Sequence, residues 1–399
     1  MESRITVVGQ HQENTLDQLR DVASRAVCAA LMADGHLGYI MPVGGVAAYR
    51  RQVSVAGVGF DIACGNAAIR TDLDARDLMA DRERLADEIA STIAFGVGRS
   101  NRADDAPVDD PLFDAPEWGA LPAGVNVHNL KGKARSQLGT VGSGNHYVDV
   151  FADDLGRVWV GVHFGSRGLG HTVASGFMAV ARGDAWDQRG VETETLLSLD
   201  TPLGQGYWAM MQLAGRYAYV GREWVTRKVV ALLGGRECEL VHNHHNFAWE
   251  ETHHGESLVV VRKGATPAFP GQRGFVGGSM GDHSVILRGA ESSDRQADLL
   301  YSTVHGAGRV MSRTEAAGKR HRKTGAVLRP GKVTPDMMAD WLTKSDVVLR
   351  GGGLDESPHA YRRLPDVLAE QGETITIERV LTPLIVVMAG ANEFDPYKD

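Results

Sequence analysis

Short strand-like runs alternate along this 399-residue chain with glycine-flanked clusters of polar residues, and this alternation limits the folds open to it. The runs occupy residues 147–151, 158–163, 239–242, 258–262, 285–288 and 375–388. Nearly every run begins or ends beside His, Asn, Asp, Cys or Ser, and the chain has 48 glycines. Active sites are commonly built from loops held by a rigid sheet, and glycine lets a ligand approach the backbone closely. The pattern therefore predicts a sheet whose strand ends surround a site.

Helical periodicity is confined to a few segments. Apolar residues recur at helical spacing in 14–32, and 75–93 adds acid–base pairs on its outer face. A long helical stretch covers 206–233, with a break expected near Gly221, and the Pro- and Asp-rich residues 100–125 predict an exposed excursion. We expect an α+β fold: one large domain over 1–399 with a mixed sheet core, a helical insertion at about 205–233 and a C-terminal tail at 391–399.

Composition excludes several classes of protein. Hydrophobic residues make up 43% and charged residues 23%, which is ordinary for a globular domain. No run approaches the roughly 20 apolar residues that cross a bilayer, and the N-terminus lacks a signal-peptide core. We therefore expect a cytoplasmic protein with no membrane partner. Three cysteines are too few for a disulfide framework.

Charge alone argues against a nucleic-acid partner. The net charge is −8, whereas phosphate binding depends mostly on Lys and Arg. A basic run from Arg309 to Arg329 offsets this only in part, and a solvated helix face and loop is the favoured interpretation of that run.

Four clusters carry residue types that bind divalent metals. Asp61 and Cys64 stand three residues apart, Asn145 and His146 enter one strand, and His163 ends the next. The fourth cluster is HNHHN at 242–246. Taken singly, Asp61 is better explained as a turn or cap residue and Cys64 as a small buried hydrophobic residue. Each histidine alone is better explained as a surface or core residue whose hydrogen bonds are satisfied. Four sites of the same kind favour a metal centre, with zinc first and manganese second on ligand chemistry.

Two further clusters are typical of phosphate and nucleotide binding. STVHGAGR at 302–309 leads into a helix expected from Val310, whose N-terminus would attract an anion beside His305. A neutral imidazole there is a competent nucleophile towards phosphorus. GGSMGDHS at 277–284 offers a backbone cradle for a purine or ribose. The P-loop, the dinucleotide fingerprint and a K-x-D-G lysine nucleophile are all absent, so nucleotidyl transfer by this chain would need a different nucleophile.

Taken in order, these motifs resemble the RtcB family of RNA ligases. The resemblance runs through DGHLG, GVGFDIACG, GSGNHYVDV, HFGSRGLGH, HHNF, RKGATPAFPG, GGSMG, HGAGRVMSR and DESPHAYR. It implies an enzyme that joins RNA 3′-phosphate or 2′,3′-cyclic phosphate ends to 5′-hydroxyl ends. The implied route uses GTP, two Mn²⁺ ions and a GMP–histidine intermediate.

The resemblance also implies a role for each matching residue. Cys64 would bridge two manganese ions, with His146 and His163 completing the first site and Asp61 and His245 the second. His305 would carry the GMP and Asp34 would orient it. Residues that match nucleotide contacts are Asn145, Asp149, Asn246, Ser279, Met280, Ser284, Gly306, Ala307, Gly308 and Tyr361, the last packing on guanine.

Three positions depart from the family pattern. Asp149 stands where the family usually has Glu, and Arg362 replaces the Lys that follows Tyr361. Ala389 occupies the place of a lysine that contacts the nucleotide, and losing a hydrogen bond to a charged group costs about 1.5–3 kcal/mol. Either the tail, with Lys398, supplies that contact or the choice of nucleotide has changed.

Alternatives to ligation stay open. A 3′-phosphate nucleotidyl-capping or repair enzyme would keep the metals and His305 but not join ends efficiently. A non-catalytic RNA-binding paralogue would have no need of the metal residues and His305. A metallohydrolase ranks last, because it needs neither His305 nor the GGSMG segment. We expect a monomer and leave open an activating protein partner.

Overall fold

Strands and helices are interspersed along the chain, and the α+β class is confirmed. The computed structural model describes residues 4–188, 193–291, 294–320, 327–391 and 393. Its strands are β1 (Arg4–Val7), β2 (Cys28–His36), β3 (Val43–Tyr49), β4 (Gln52–Ser54), β5 (Gly65–Asp74), β6 (Tyr147–Asp153), β7 (Arg157–Phe164), β8 (Leu196–Ser198), β9 (Glu237–His244), β10 (Asn246–His253), β11 (Glu256–Lys263), β12 (Ala265–Pro267), β13 (Arg273–Val276), β14 (Ser284–Gly289), β15 (Ser302–Val304), β16 (Gly318–Arg320), β17 (Val327–Pro330), β18 (Val348–Gly352) and β19 (Ile375–Gly390).

The helices lie between these strands in the chain. The α-helices are α1 (Glu13–Ala23), α2 (Val55–Val58), α3 (Ala75–Leu78), α4 (Arg82–Thr92), α5 (Val127–Gln137), α6 (Arg167–Ala181), α7 (Pro202–Leu232), α8 (Asp294–Asp298), α9 (Arg313–Ala317), α10 (Pro335–Ser345) and α11 (Leu364–Gln371). Short 3₁₀ helices occupy Met79–Asp81, Pro111–Asp114, Pro116–Ala120, Leu354–Glu356, Pro358–Ala360 and Gly372–Thr374. No helix in the described ranges combines the length and the apolar character that a membrane span needs.

The larger sheet has the strand order β13-β14-β19-β6-β7-β5-β9, and β18 runs parallel beside β19. The other pairings are antiparallel, so the sheet is mixed, as the sequence predicts. Tyr147 faces His163 across the β6–β7 hairpin, and Gly65 lies between Phe164 and His244. This register brings the start of β5, the start of β6 and the ends of β7 and β9 to one edge.

A second sheet has the order β1-β2-β3-β11-β10, with β1 parallel to β2 and the other pairs antiparallel. Strand β2 ends in Asp34-Gly35-His36, and β10 begins at Asn246, one residue after His245. The short β12–β15 ladder leads directly to His305. The second sheet therefore brings Asp34 and Asn246 towards the edge where the larger sheet ends.

Helix α7 is continuous over 31 residues, so the predicted break near Gly221 is wrong. Thr201 caps its first turn by accepting the backbone N–H of Gly204, and the helix packs on α6, β5 and β7. An added Cβ at Gly221 would lie 3.5 Å from Leu138, Gly139 and Phe164, which is ordinary contact distance. Gly221 therefore lies against its neighbours without interrupting the helix.

The six predicted strands are all present, whereas two other local predictions need correction. In 14–32 the helix ends at Ala23, because the apolar residues from Cys28 onward form the buried strand β2. The expected exposure of 100–125 is wrong for Leu112, Phe113 and Trp118, which are buried in the core on 3₁₀ turns. The segment 75–93 is helical but consists of α3, a 3₁₀ turn and α4.

Candidate metal and nucleotide site

Five candidate metal ligands meet at the strand edge described above. Cys64 Sγ lies 3.2 Å from His163 Nε2 and 3.7 Å from His146 Nε2. His163 Nε2 is 3.3 Å from His245 Nε2, and His146 Nε2 is 3.1 Å from Asp61 Oδ2. The four segments that carry these side chains are far apart in sequence. The antiparallel register is what brings them together.

These side chains form two groups that share Cys64. One group is Cys64, His163 and His245, and the other is Asp61, Cys64 and His146; within each group the candidate ligand atoms lie within 4.8 Å of one another. The resemblance implies the same shared cysteine but pairs His146 with His163. In the structure His146 lies against Asp61 and His163 lies against His245, and both His146 and His163 face Cys64.

The first group is well oriented for a divalent ion. His163 Nδ1–H donates to the carbonyl of Asn145 at 3.0 Å, which leaves the Nε2 lone pair facing Cys64. Burial lowers the pKa of both His163 and His245 well below its usual range, so both rings are neutral at neutral pH. Burial also raises the pKa of the Cys64 thiol, and a coordinated metal deprotonates such a thiol. Mixed O, N and S donors suit a borderline divalent ion.

His146 in the second group is held between Asp61 and Arg167. Arg167 Nη1 donates to His146 Nδ1 at 3.1 Å, and a guanidinium can only donate. The Nε2–H of His146 therefore faces Asp61 Oδ2. Burial opposes ionisation of Asp61, but the hydrogen bond from His146 and the charge of Arg167 outweigh it and lower the pKa of Asp61 to about 2. Metal binding through His146 Nε2 would require Arg167 to leave Nδ1.

Arg167 is a site residue that we did not predict, although it stands in one of the motifs. An added Cβ at Gly142 would lie 1.7 Å from Arg167 Nη2, and Gly142 has a φ of +92°. Only glycine leaves room there for the guanidinium. No carboxylate lies within ion-pair distance of Arg167 among the residues the structure describes. Its charge is thus available to an anionic ligand beside the candidate metal groups.

His305 lies next to the first metal group and is fixed by Asp34. Its ring centroid is 4.9 Å from that of His245. Asp34 Oδ2 accepts three hydrogen bonds: from His305 Nδ1 at 2.6 Å, from the His305 backbone at 2.9 Å and from the Gly306 backbone at 3.2 Å. With Nδ1–H committed to a fully buried carboxylate, the Nε2 lone pair of His305 is free to act as a nucleophile.

No helix begins at Val310, so the predicted helix is wrong. The backbone N–H groups expected to bind an anion there, those of His305 and Gly306, bind the carboxylate of Asp34. Helix α9 begins only at Arg313 and has five residues. Gly308 has a φ of +74°, and Val310 donates to the carbonyl of Ala360, which keeps the chain out of a helix.

A cavity of about 290 Å³ joins the metal groups to the predicted nucleotide residues. Nine of the ten predicted nucleotide residues line it: Asn145, Asp149, Asn246, Ser279, Met280, Gly306, Ala307, Gly308 and Tyr361. Ser284 does not; its hydroxyl accepts the backbone N–H of Gly278 and so shapes the GGSMG loop. His36, Lys263, Arg309 and Glu356 also line the cavity and were not predicted.

Four buried polar atoms of residues that line this cavity lack a hydrogen-bond partner within the described part of the chain: Tyr147 OH, Asp149 Oδ1, His245 Nδ1 and Ser279 Oγ. Burial raises the pKa of Asp149 well above its usual range. Buried polar groups are normally paired, and leaving one unpaired costs about 1–3 kcal/mol. Val386, Met280 and Met388 add apolar surface. Such a lining suits a flat ligand with polar edges.

Tyr361 lines the cavity, but part of its surface is taken. The Arg309 guanidinium lies 4.7 Å from its ring centroid, and its hydroxyl bonds Arg309 Nη1 at 2.7 Å and also Glu356. Arg309 and Arg313 both pair with the buried Glu356. The solvated-face interpretation is therefore wrong for the start of the basic run. Residues 321–326 of that run lie outside the described residues.

The departures from the family pattern have different consequences. Arg362 donates to the carbonyl of Ala33 at 2.7 Å and pairs with Glu370, so it supports the strand that carries Asp34. Ala389 is buried in β19 and does not line the cavity, although its neighbour Met388 does. Lys398, considered as a replacement, lies outside the described residues.

Comparison with known proteins identifies the family of the chain. The family described as tRNA-splicing ligase RtcB matches residues 18–389. An RNA-splicing ligase RtcB from Escherichia coli strain K12 is 31% identical, over 90% of this chain and 89% of its own. A tRNA-splicing ligase RtcB from Thermococcus kodakarensis is also 31% identical, over 90% of this chain and 87% of its own. The family match covers nearly the whole chain, and both relatives align over 90% of it. The chain therefore belongs to the RtcB family.

Proposed function

We propose that this protein is a GTP-dependent RNA ligase that joins RNA 3′-phosphate or 2′,3′-cyclic phosphate ends to 5′-hydroxyl ends. Relatives that align over most of the chain are named RNA- and tRNA-splicing ligases. The observation that carries the proposal is the contact of His305 with Asp34 beside two candidate metal groups. A metallohydrolase, which activates water on its metal, would need no nucleophilic histidine fixed in this way.

In the first step, His305 Nε2 attacks the α-phosphate of GTP. A P–N bond forms, the bond to the β-phosphate breaks, and pyrophosphate leaves. Asp34 holds Nδ1–H and offsets the positive charge that develops on the ring. His305 is thereby pre-oriented, and an oriented nucleophile lowers the barrier through reduced entropy loss.

In the second step, an oxygen of the RNA 3′-phosphate attacks the phosphorus held by His305, and the P–N bond breaks. The 5′-hydroxyl of the other RNA end then attacks the activated 3′-phosphate and releases GMP. A 2′,3′-cyclic phosphate must first be opened by water to give the 3′-phosphate. Arg167, with no carboxylate partner in the described ranges, lies where it can bind a phosphate of either end.

Two Mn²⁺ ions are part of this proposal. Asp61, Cys64, His146, His163 and His245 would hold them, with Cys64 shared. Divalent ions at such a site neutralise phosphate charge and orient the reacting oxygens. For the chain as a whole we propose one ligase domain over 1–399 with α7 as its helical insertion, acting as a cytoplasmic monomer, with or without an activating protein partner.

The test is to incubate the purified protein with α-labelled GTP and Mn²⁺, followed by RNA oligonucleotides with 3′-phosphate and 5′-hydroxyl ends. Wild type and His128→Ala, which changes an exposed histidine on α5, should become labelled, and His305→Ala should not. The label should be lost in mild acid and kept in base, as for a phosphoramidate. Label without joined RNA would favour a capping enzyme, and no label under any condition would favour a non-catalytic paralogue.

A further inference from the structure

Arg222 is a fully buried arginine with an unusual set of partners. It lies on α7 with 0% of its surface exposed. No carboxylate oxygen lies within ion-pair distance of it in the described ranges, although buried charges are normally paired with opposite charges. Burying a guanidinium without a counter-charge destabilises the fold unless its N–H groups are hydrogen-bonded. The hydrogen-bond partners of Arg222 therefore indicate its role.

Nη1 of Arg222 binds two carbonyl groups beside candidate metal ligands. It donates to the Ala63 carbonyl at 2.8 Å and to the Phe164 carbonyl at 2.6 Å. Ala63 precedes Cys64 and has a φ of +60°, a region that alanine rarely adopts, and Phe164 follows His163. A single nitrogen therefore ties together the two segments whose Sγ and Nε2 atoms lie 3.2 Å apart.

The other guanidinium nitrogens are held by two histidines of the HNHHN motif. Nε donates to His242 Nε2 at 2.8 Å, and Nη2 donates to His244 Nδ1 at 2.8 Å. Because a guanidinium only donates, both imidazole nitrogens must be acceptors, and both rings are neutral. Tyr219 stacks on His244 at a centroid distance of 3.9 Å, which fixes that ring. Neither histidine belongs to a candidate metal group.

From this geometry we propose that Arg222 is a positioning residue for the metal centre. Its guanidinium holds the Ala63 and Phe164 carbonyls, and so sets the separation of Cys64 and His163, while His242 and His244 hold the guanidinium. The inference rests on the proposed metal centre. It also assigns a role to two histidines of the motif, which are acceptors for an arginine and not metal ligands.

The proposal can be tested by metal affinity, without measuring activity. The metal-free full chain is titrated with Co²⁺ alone, and the thiolate-to-cobalt charge-transfer absorption reports binding at Cys64. Lysine at position 222 keeps the charge but has one nitrogen in place of the fork. Arg222→Lys should weaken Co²⁺ binding by about 10–100-fold, the usual loss when a group that orients a metal ligand is changed.

Arg262→Lys is the matched control. Arg262 is also fully buried, but it binds Glu251, Ser302 and the Leu300 carbonyl, none of which is a candidate metal ligand. The control should lose stability and keep the wild-type Co²⁺ affinity and absorption. Equal weakening in both variants would mean that Arg222 acts only on general stability, and the proposal would be overturned.

Three further outcomes are decisive. If Arg222→Lys does not fold, the same titration is made on His244→Phe, which keeps the ring on Tyr219 but removes an acceptor of the guanidinium; unchanged Co²⁺ affinity there overturns the proposal. If wild type shows no charge-transfer absorption, the metal centre itself fails. If wild type and Arg222→Lys bind Co²⁺ alike, the metal centre stands and the role of Arg222 does not.

Discussion

Asp34 Oδ2 lies 2.6 Å from His305 Nδ1 and also accepts the backbone N–H groups of His305 and Gly306. One carboxylate oxygen thus fixes the ring, its tautomer and the chain on either side of it. Asp34 comes from β2 of the second sheet, whereas His305 follows the β12–β15 ladder. The candidate nucleophile therefore depends on a contact between residues 271 positions apart.

Replacing Asp34 by Asn should slow guanylylation while the fold persists. The amide oxygen can take the place of Oδ2, and the amide NH₂ the place of Oδ1, which has no partner within the described residues. The tautomer of His305 is then kept and only the negative charge is lost. We expect a loss of roughly 10²–10³-fold in the rate of label transfer, the scale for one electrostatic partner of a developing charge. An unchanged single-turnover rate would contradict this role of Asp34.

Removing the Asp149 carboxyl should weaken the preference for GTP over ATP. The group is buried in the cavity, and its Oδ1 has no partner in the described part of the chain. Burial favours the neutral form of this carboxyl, and a neutral hydrogen bond is worth about 0.5–1.5 kcal/mol, so Asp149→Ala should reduce the GTP-to-ATP ratio of labelling by roughly 2–10-fold. Asp149→Glu keeps the carboxyl and is the control. Equal ratios in wild type and Asp149→Ala would place base recognition elsewhere.

The metal-free protein should lose stability in acid partly through His242. Burial lowers the pKa of His242 to about 3 in the folded chain, against a usual value of 6.5. Between these values the unfolded chain binds a proton that the folded chain does not, so the free energy of unfolding falls as pH falls below 6.5. His242→Gln should reduce this dependence by about 1.4 kcal/mol per pH unit.

The pH prediction is checked by thermal unfolding between pH 4 and pH 7.5. Gln can still accept from Arg222, so the variant should gain on wild type as the pH is lowered. His128→Gln, at an exposed position on α5, should follow the wild-type curve. Parallel curves for wild type and His242→Gln would show that this histidine does not titrate differently on unfolding.

Gly142→Ala should displace Arg167 from His146. The new Cβ would lie 1.7 Å from Arg167 Nη2, and a φ of +92° is strained for alanine. We expect a loss of about 1–3 kcal/mol in stability and slower RNA joining. In Gly132→Ala the Cβ meets nothing within 4 Å, and an exposed helical position should gain about 0.5–1 kcal/mol. The check is to compare melting temperatures and ligation rates; equal behaviour of the two variants would refute the role of Gly142.

Sequence alone determined the strands, the motif clusters and the family. The six strand-like runs follow from local apolar patterning, and the residue types of Asp61, Cys64, His163 and His305 are themselves chemical information. These features are local or are carried by the residue itself, so no long-range contact is needed to recognise them. The role of Asp34 could also be predicted from the sequence, because its motif resembles that of the family.

Only the tertiary structure decided which of these residues are neighbours. His146 lies against Asp61 and His163 against His245, and such proximity depends on contacts between segments that are not adjacent in the chain. The same reason explains two wrong predictions. The apolar residues from Cys28 onward form a strand and not a helix, and the chain after His305 is kept out of a helix because Arg309 pairs with Tyr361. Arg222 lies in no sequence motif. Its proposed role comes from four hydrogen bonds to other segments of the chain, and these exist only in the folded structure.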